Sequence, residues 1–319
     1  VVPVSYVSYL LRRFAFAVFS VYAAASVMFG FTVLQARLIL QKQLALMRYN
    51  GAQDWQIEQF RKEFLARRGL DRPLYEHYAD WFVDLTTLEW GQSIAYDQSV
   101  AAVLDGRVVT TLEYVVPGVV VAVALGVPLG VLAAFEKEGA VDWTARLSTY
   151  ALLGIPVFMV ITYLLAVVSP VRAGPTAGAG PYVHPQVIAA GAVAASLLAG
   201  QLRFSRSAVL DQTGREFVKM LRAKGISRLT LVKHVLRNAA LPIVSLSLSE
   251  LLAVLVLNIY VIEEILPIDG LARASLVAVD QGDMSLITWS TLVIVFLGIG
   301  GSFLQDVVYG YLDPQVSVE

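Results

Sequence analysis

The chain contains no cysteine, which excludes disulfides, thiol nucleophiles and cysteine-ligated zinc or iron–sulfur sites and leaves redox chemistry no obvious foothold. Its three histidines, His77, His184 and His234, fall in three separate segments without ligand spacing, so no protein metal site is expected. The G-x-x-x-x-G-K-[ST] loop that cradles nucleotide phosphates is missing, so the chain lacks the backbone site an ATPase needs. Clustered His, Asp or Ser–Lys pairs at one depth, which a membrane-embedded hydrolase would require, are missing too. Charge is scarce: 15% of residues are charged, and the formal net charge is only -1. The overall balance therefore says nothing about nucleic acid or acidic partners, and any electrostatic signal must lie in local distribution.

Apolar sequence is what the chain has in abundance. At 57% hydrophobic residues over 319 positions, the composition does not fit a soluble domain and points to a membrane. A bilayer core about 30 Å thick takes about 20 apolar residues as a helix, which satisfies every backbone N–H and C=O internally. That ruler places six spans: Phe14–Gln35, Tyr114–Phe135, Leu147–Val171, one inside Ala173–Leu202, Asn238–Ile262 interrupted by Glu250, and Met284–Gln305. The fourth is set to begin near Gln186, because Gly174, Pro175, Gly178, Gly180, Pro181 and Pro185 suit a loop. Arg12 and Arg13 before the first run would also suit a signal peptide, but the run is long and no small-residue cleavage site ends it. Pro117, Pro128, Pro156 and Pro242 lie in or at the edges of spans, where each frees a carbonyl and can kink a helix.

Lys and Arg in short loops mark the cytoplasmic side. Between Arg203 and Arg237 nine bases face only Asp211 and Glu216, whereas Glu263–Asp283 holds one base, Arg273, against five acids. The first segment is read as cytoplasmic, the second as external, and both termini then fall in the cytoplasm. The segment Gln35–Arg107 has nine bases yet is read as external, because loops longer than about 60 residues cross regardless of charge. Amphipathic around Trp55–Arg68, it is expected to form a small helical cap. The organisation is thus an N-terminal segment with the first span (1–35), an external loop (36–107) and a core of five spans (108–319). The expected fold class is an all-α integral membrane protein.

The segment at 203–238 carries more than topology. Phe217, Met220 and Leu221 recur at helical spacing, Lys224-Gly225 interrupts, and Ile226, Leu229, Val232, Val235 and Leu236 resume a second amphipathic helix. Gly225 is expected at the hinge, where a residue without Cβ can turn left-handed. Such a pair either lies against anionic lipid or docks a soluble partner.

Here the chain resembles the permease subunits of ATP-binding-cassette importers, and in particular the first membrane subunit of the dipeptide, oligopeptide and nickel group. "FVKMLRAKGIS" followed by "KHVLRNAALP", within Arg215–Pro242, looks like that group's signature loop, with Gly225 on its glycine. The usual Glu-Ala-Ala is represented by Lys219, Met220 and Leu221, a departure common in the peptide subgroup. "GLDRPLYEHYADWF" (Gly69–Phe82), "WGQS" (Trp90–Ser93), "LGVPLGVLAA" (Leu125–Ala134), "GIPVF" (Gly154–Phe158) and "YGYLDPQ" (Tyr309–Gln315) follow in the subgroup's order. Two features depart from it: the Pro-Gly-Asp-Pro run after the first span is missing, and Asp269-Gly270 stands for Pro-Gly after the fifth.

The resemblance implies a multi-pass inner-membrane subunit that pairs with a second homologous permease, two cytoplasmic ATPases and an external solute-binding protein. It binds no cofactor itself, ATP being hydrolysed by its partners. The loop would be the coupling helix that enters a groove of the ATPase, with Phe217, Leu221, Lys224, Gly225, His234 and Arg237 as coupling residues. Short peptides are the expected cargo, although nickel and other small solutes use the same subgroup. Glu250, near mid-bilayer, either lines the path and meets a cationic group such as a peptide amino terminus, or packs as a protonated or hydrogen-bonded carboxyl against a neighbouring helix. Glu113 is read as an interfacial residue at a span end. A stand-alone secondary transporter or channel is the rival reading, but it needs coupled intramembrane charges and usually an internal repeat. Only Glu250 lies at such depth, and no repeat is evident.

Overall fold

A chain in hydrocarbon has no water to satisfy its peptide groups, so its apolar runs become helices. The computed structural model describes residues 6–168 and 183–312, without the side chains at 164, 167, 168, 250–255, 257, 311 and 312. Along it run α1 (Tyr6–Tyr49), α2 (Asp54–Arg67), α3 (Leu74–Thr87), the antiparallel pair β1 (Gln92–Ser93) and β2 (Gln98–Ser99), and α4 (Val100–Phe135). There follow α5 (Ala140–Gly154), α6 (Val157–Val168), α7 (Pro185–Thr213), α8 (Glu216–Ala223), α9 (Arg228–Ile265), α10 (Leu271–Gln281) and α11 (Met284–Leu312).

The all-α membrane architecture is therefore present, and four or five of the expected spans are identified among the described residues. Among the described residues α1, α4, α7 and α11 are long and apolar enough to cross a bilayer, and α5 with α6 makes a fifth crossing if the bent pair is one span. The remaining expected span, Asn238–Ile262, lies within α9, where several side chains fall outside the described residues. The third span, expected as one run from Leu147, is broken: Ile155 is extended (φ -103, ψ 112), and α5 and α6 meet at 83°. Pro156 accounts for this, since it has no N–H to donate and pushes the residue before it out of the helical region. Pro117, Pro128 and Pro242 instead sit inside continuous helices. The end of the third run, the Gly/Pro-rich stretch to 182 and the last residues of "YGYLDPQ" lie outside the described residues.

Helix ends depart from span ends. α1 continues past Gln35 to Tyr49, α7 past Leu202 to Thr213, and α9 begins at Arg228, ahead of Asn238. Arg203 and Arg206 therefore ride on α7, because Arg is a good helix former and leaving the bilayer gives a helix no reason to stop.

The chain forms two compact units. The first comprises Val1–Ala17, Gly106–Arg273 and Leu297–Glu319. Its centre is the approach of α4 to α7 across Gly118, Gly126 and Gly130, which share one face of α4. A Cβ at Gly118 would lie 2.7 Å from Val193 Cβ, one at Gly126 2.7 Å from Gln201 Cβ, and one at Gly130 would overlap Ser205 Oγ and the Leu202 carbonyl. Two apolar clusters fill the space alongside: Tyr114, Ile161, Val193, Leu197, Ile259 and Ile262 in one, and Ala134, Val209, Val218, Val235, Ala239 and Ile243 in the other. Asp142, fully buried at the start of α5, pairs with Arg206 through both carboxylate oxygens (Nη2 to Oδ2, 2.9 Å) and accepts the Glu138 N–H at 3.0 Å, so α5 is fastened to α7. The first turns of α1 meet the end of α11, where the Tyr6 hydroxyl donates to the Val307 carbonyl at 3.1 Å and Arg13 pairs with Asp306 at 3.5 Å.

The second unit comprises Val18–Asp105 and Ala274–Phe296. The helix expected around Trp55–Arg68 is α2. α3 lays an aromatic face along α1, with the Phe29 ring 5.1 Å from Tyr78 and 5.7 Å from Trp81. Trp289 stacks between Trp81 at 5.2 Å and Trp90 at 5.0 Å. Asp283, buried just before α11, accepts from Ser93 Oγ (2.6 Å), Ala95 N–H (3.1 Å) and Leu286 N–H (3.0 Å), so it caps the helix and holds the β1–β2 hairpin. Burial works against its charge, yet the hydrogen bonds from Ser93, Leu286 and Ala95 hold its carboxyl below the usual carboxylate range.

Two outcomes follow from these contacts. Gly130→Ala is expected to cost roughly 1–3 kcal/mol by overpacking, read as a lower thermal midpoint of the purified protein. Gly191→Ala, whose Cβ meets nothing within 4 Å, is its neutral or mildly stabilising control. A depressed carboxyl contributes stability above its unfolded value, about pH 4, and loses it as pH falls through the lower folded value. Tryptophan fluorescence from the Trp81–Trp289–Trp90 stack is thus expected to hold down to about pH 4 and change below it, and Asp283→Asn to shrink that acid transition.

Candidate functional site

The loop between α7 and α9 is built from α8 and two turns. α7 stops at Gly214, and α8 begins after Arg215, an extended N-cap that makes no side-chain cap bond. With only 8 residues, α8 is far too short to be stable alone, so packing must hold it. Val218 is fully buried, and Phe217 and Leu221 are half-buried with it against Val131 and Phe135 of α4, Val209 of α7 and Val235 of α9. The other side of α8 presents Lys219, Met220 and Arg222, with Met220 54% exposed. Lys219 and Glu216 pair at 2.8 Å, but both are well exposed, and such pairs contribute little.

α8 ends on a complete two-bond Schellman turn. The Gly225 N–H donates to the Arg222 carbonyl at 3.0 Å and the Ile226 N–H to the Leu221 carbonyl at 3.5 Å, while Gly225 takes φ +71. Ile226 and Leu221 supply the apolar contact that accompanies this turn. Ser227 then caps α9, its Oγ accepting the Thr230 N–H at 3.3 Å. In the first turns of α9, Leu231 and Val235 point into the core, whereas Leu229 is 82% exposed and Lys233, His234 and Arg237 lie on the surface.

The six residues singled out from the sequence are thus divided. Phe217 and Leu221 face the bundle and seat α8; Lys224, Gly225, His234 and Arg237 face outward. The apolar side chains left exposed are Met220 and Leu229. Helical spacing alone groups both with the buried stripe, because a two-turn helix and a capped first turn do not cover every apolar position they carry. Glu250 lies within α9, but its side chain is outside the described residues. Glu113 accepts from Gln186 Nε2 at 2.6 Å, joining α4 to the first turn of α7. Among the described residues no three His, Asp or Glu side chains converge as a metal site. Glu263, in the sequence one acid among five in its loop, meets the hydroxyls of Thr111 and Tyr114 on α4, and no local pattern in the sequence links the three.

Residues 126–318, which contain this loop, match the family of binding-protein-dependent transport system inner membrane components. The chain belongs to that family. The permease is 29% identical over 264 residues to a dipeptide transport system permease protein of Bacillus subtilis, covering 82% of this chain and 85% of that one. It is 27% identical over 269 residues to an oligopeptide transport system permease protein of the same organism, covering 80% and 84%. A Brucella suis protein named as a peptide permease is 30% identical over 267 residues, covering 79% and 83%. The resemblance read from the signature loop is therefore correct: this is a multi-pass permease subunit of a binding-protein-dependent importer, a class that works with ATPase and binding-protein partners.

A left-handed backbone costs a residue with a Cβ about 1–2 kcal/mol, and a Cβ at Gly225 would touch nothing within 4 Å. Gly225→Ala is therefore expected to loosen only the turn. Amide exchange should accelerate at Gly225 and Ile226 and stay unchanged in α4, and Gly225→Asn should lie between Ala and wild type.

Proposed function

We propose that the permease passes short peptides, received from an external solute-binding protein, through a path it forms with a second, homologous permease, and that two cytoplasmic ATPases drive it through the α8–α9 corner. The observation that carries this reading is an exposed pair of apolar side chains, Met220 and Leu229, among exposed bases on a loop whose inner side is locked into the bundle. A surface held only against lipid headgroups needs no such locking. The relatives named for dipeptide and oligopeptide transport support peptides as the cargo, and family membership speaks against a stand-alone transporter or channel.

In this reading six spans place both termini and the basic loop in the cytoplasm and the α9–α10 turn outside, following the excess of bases at 203–237. Lys224, His234 and Arg237 meet the ATPase together with Met220 and Leu229, while Phe217 and Leu221 transmit the load inward. ATP is bound by the partners and the chain itself carries no cofactor. Glu250, near the middle of the fifth expected span in the sequence, is the one path residue named from the sequence, with a packed carboxyl as its other reading. α9 runs without a break for 38 residues, about 57 Å, so a push on its first turn displaces its far end.

Reconstitution in liposomes with the partner permease, ATPases and loaded binding protein tests this. Di- or tripeptide uptake that requires ATP and each partner is expected; uptake by the chain without an ATPase would refute the reading. Leu229→Asp changes an exposed position, so it should leave the thermal midpoint alone while weakening ATPase association about tenfold, roughly 1.4 kcal/mol, in a binding titration.

A further inference from the structure

At the opposite end of α9 from the coupling loop, Glu263 is fully buried and its carboxylate gathers three segments of the chain. On α4, the Thr111 and Tyr114 hydroxyls donate to its Oε1 at 2.6 and 2.9 Å. From α10, the Arg273 N–H donates to Oε2 at 2.9 Å. Thr111 Oγ1 in turn accepts the Leu271 N–H at 2.9 Å. α10 is preceded by Gly270, which has no side chain to cap it, and Glu263 supplies the acceptor a capping residue would. Gly270 is small for the same reason, since a Cβ there would overlap the Glu263 carboxylate.

The turn between α9 and α10 is also plugged into the core by Leu266 and Ile268, and Arg107 closes it from outside through Asp269 at 3.0 Å. Packing alone does not call for a carboxylate here, because an apolar side chain of similar volume serves a core as well or better. What the carboxylate adds is direction: two oxygens fix the end of α9 to one face of α4 and to the first turn of α10 at once.

We propose that Glu263 is a positioning residue for transport: by tying the far end of α9 to α4 and α10, it makes movement of the coupling-loop end of α9 reappear at the 266–270 turn, on the side where substrate is delivered. The inference rests on the function proposed above. Without the tie, α9 still moves, but the turn no longer follows it, and ATP is hydrolysed without a matching import step.

The test is the number of ATP molecules hydrolysed per peptide imported, measured in proteoliposomes holding the complete transporter and saturating loaded binding protein. Glu263→Gln, which turns a donor amide toward groups that are themselves donors, is expected to raise that ratio about tenfold, an ordinary coupling factor. A purely structural defect lowers hydrolysis and import together and leaves the ratio unchanged. Thr111→Val is expected to raise it as well, and Thr111→Ser, which keeps the hydroxyl, to restore it. A wild-type ratio in both Glu263→Gln and Thr111→Val overturns the inference, as does failure of both variants to assemble, which would make the cluster a folding element only. If the wild-type complex itself shows no binding-protein-stimulated hydrolysis, the functional reading fails and not Glu263 alone.

Discussion

The close approach of α4 and α7 is the contact on which the core unit depends. Lipid tails are as apolar as leucine, so no hydrophobic force presses helices together within a bilayer; backbone proximity and interhelical hydrogen bonds must do it. Gly118, Gly126 and Gly130 provide the proximity. Polar ties then fix a third and a fourth helix onto the pair. Gln201 Nε2 reaches the Ser247 carbonyl of α9 at 3.3 Å, and Gln305 Nε2 of α11 reaches Ser249 Oγ of α9 at 3.0 Å. α9 is thus held near its middle, at Ser247 and Ser249, by amide side chains from two sides.

Three buried carboxylates share a task that follows from the same medium. Asp142 accepts an N–H at the turn into α5, Glu263 one at the start of α10, and Asp283 one at the start of α11. Each helix start leaves donors that the helix cannot satisfy; Glu263 and Asp283 accept from those of α10 and α11, and Asp142 accepts from Glu138 in the turn ahead of α5. Each carboxylate also reaches outside its own helix, to Arg206, to Thr111 and Tyr114, and to Ser93. Helix capping and assembly of the bundle are therefore one set of interactions, so a change at one helix start is felt in a neighbouring element.

The sequence made the membrane class, the apolar runs and the loop with Gly225 legible, because each rests on a local quantity: hydropathy over about 20 residues, charge per loop, or a residue that alone tolerates positive φ. It made helix ends less legible. Hydropathy marks where a helix leaves the bilayer, and Arg203 or Arg228 gives no reason for it to stop there. The break at Ile155–Pro156 was signalled by the proline, but Pro117, Pro128 and Pro242 gave the same signal inside continuous helices, and only surrounding packing decides among them. Within the loop, periodicity identified Phe217, Met220, Leu221 and Leu229 as apolar without separating the seated from the exposed. Glu263 was hidden altogether, since Thr111 and Tyr114 precede it by 152 and 149 residues and no local pattern links them.

Stiffness and release occupy different places along the proposed coupling path. α9 is continuous from Arg228 to Ile265, although Pro242 removes one bond from its ladder; beyond that point Gln201 and Gln305 hold it at Ser247 and Ser249. The turn ahead of it, Lys224 to Ser227, has its compliance confined to a residue whose left-handed backbone is nearly free of steric cost. In the function proposed, a force at Met220 or Leu229 would bear on the turn at Gly225, while Val218, Phe217 and Leu221 hold α8 against the bundle. If Gly225 were replaced by a stiffer junction the two helices would move as one and lose their separate contacts with the core; if α9 were broken at mid-length the motion would end inside the bundle. In the function proposed, the turn at Gly225 and the tied carboxylate of Glu263 are the two constraints under which one long helix would carry a displacement from one of its ends to the other.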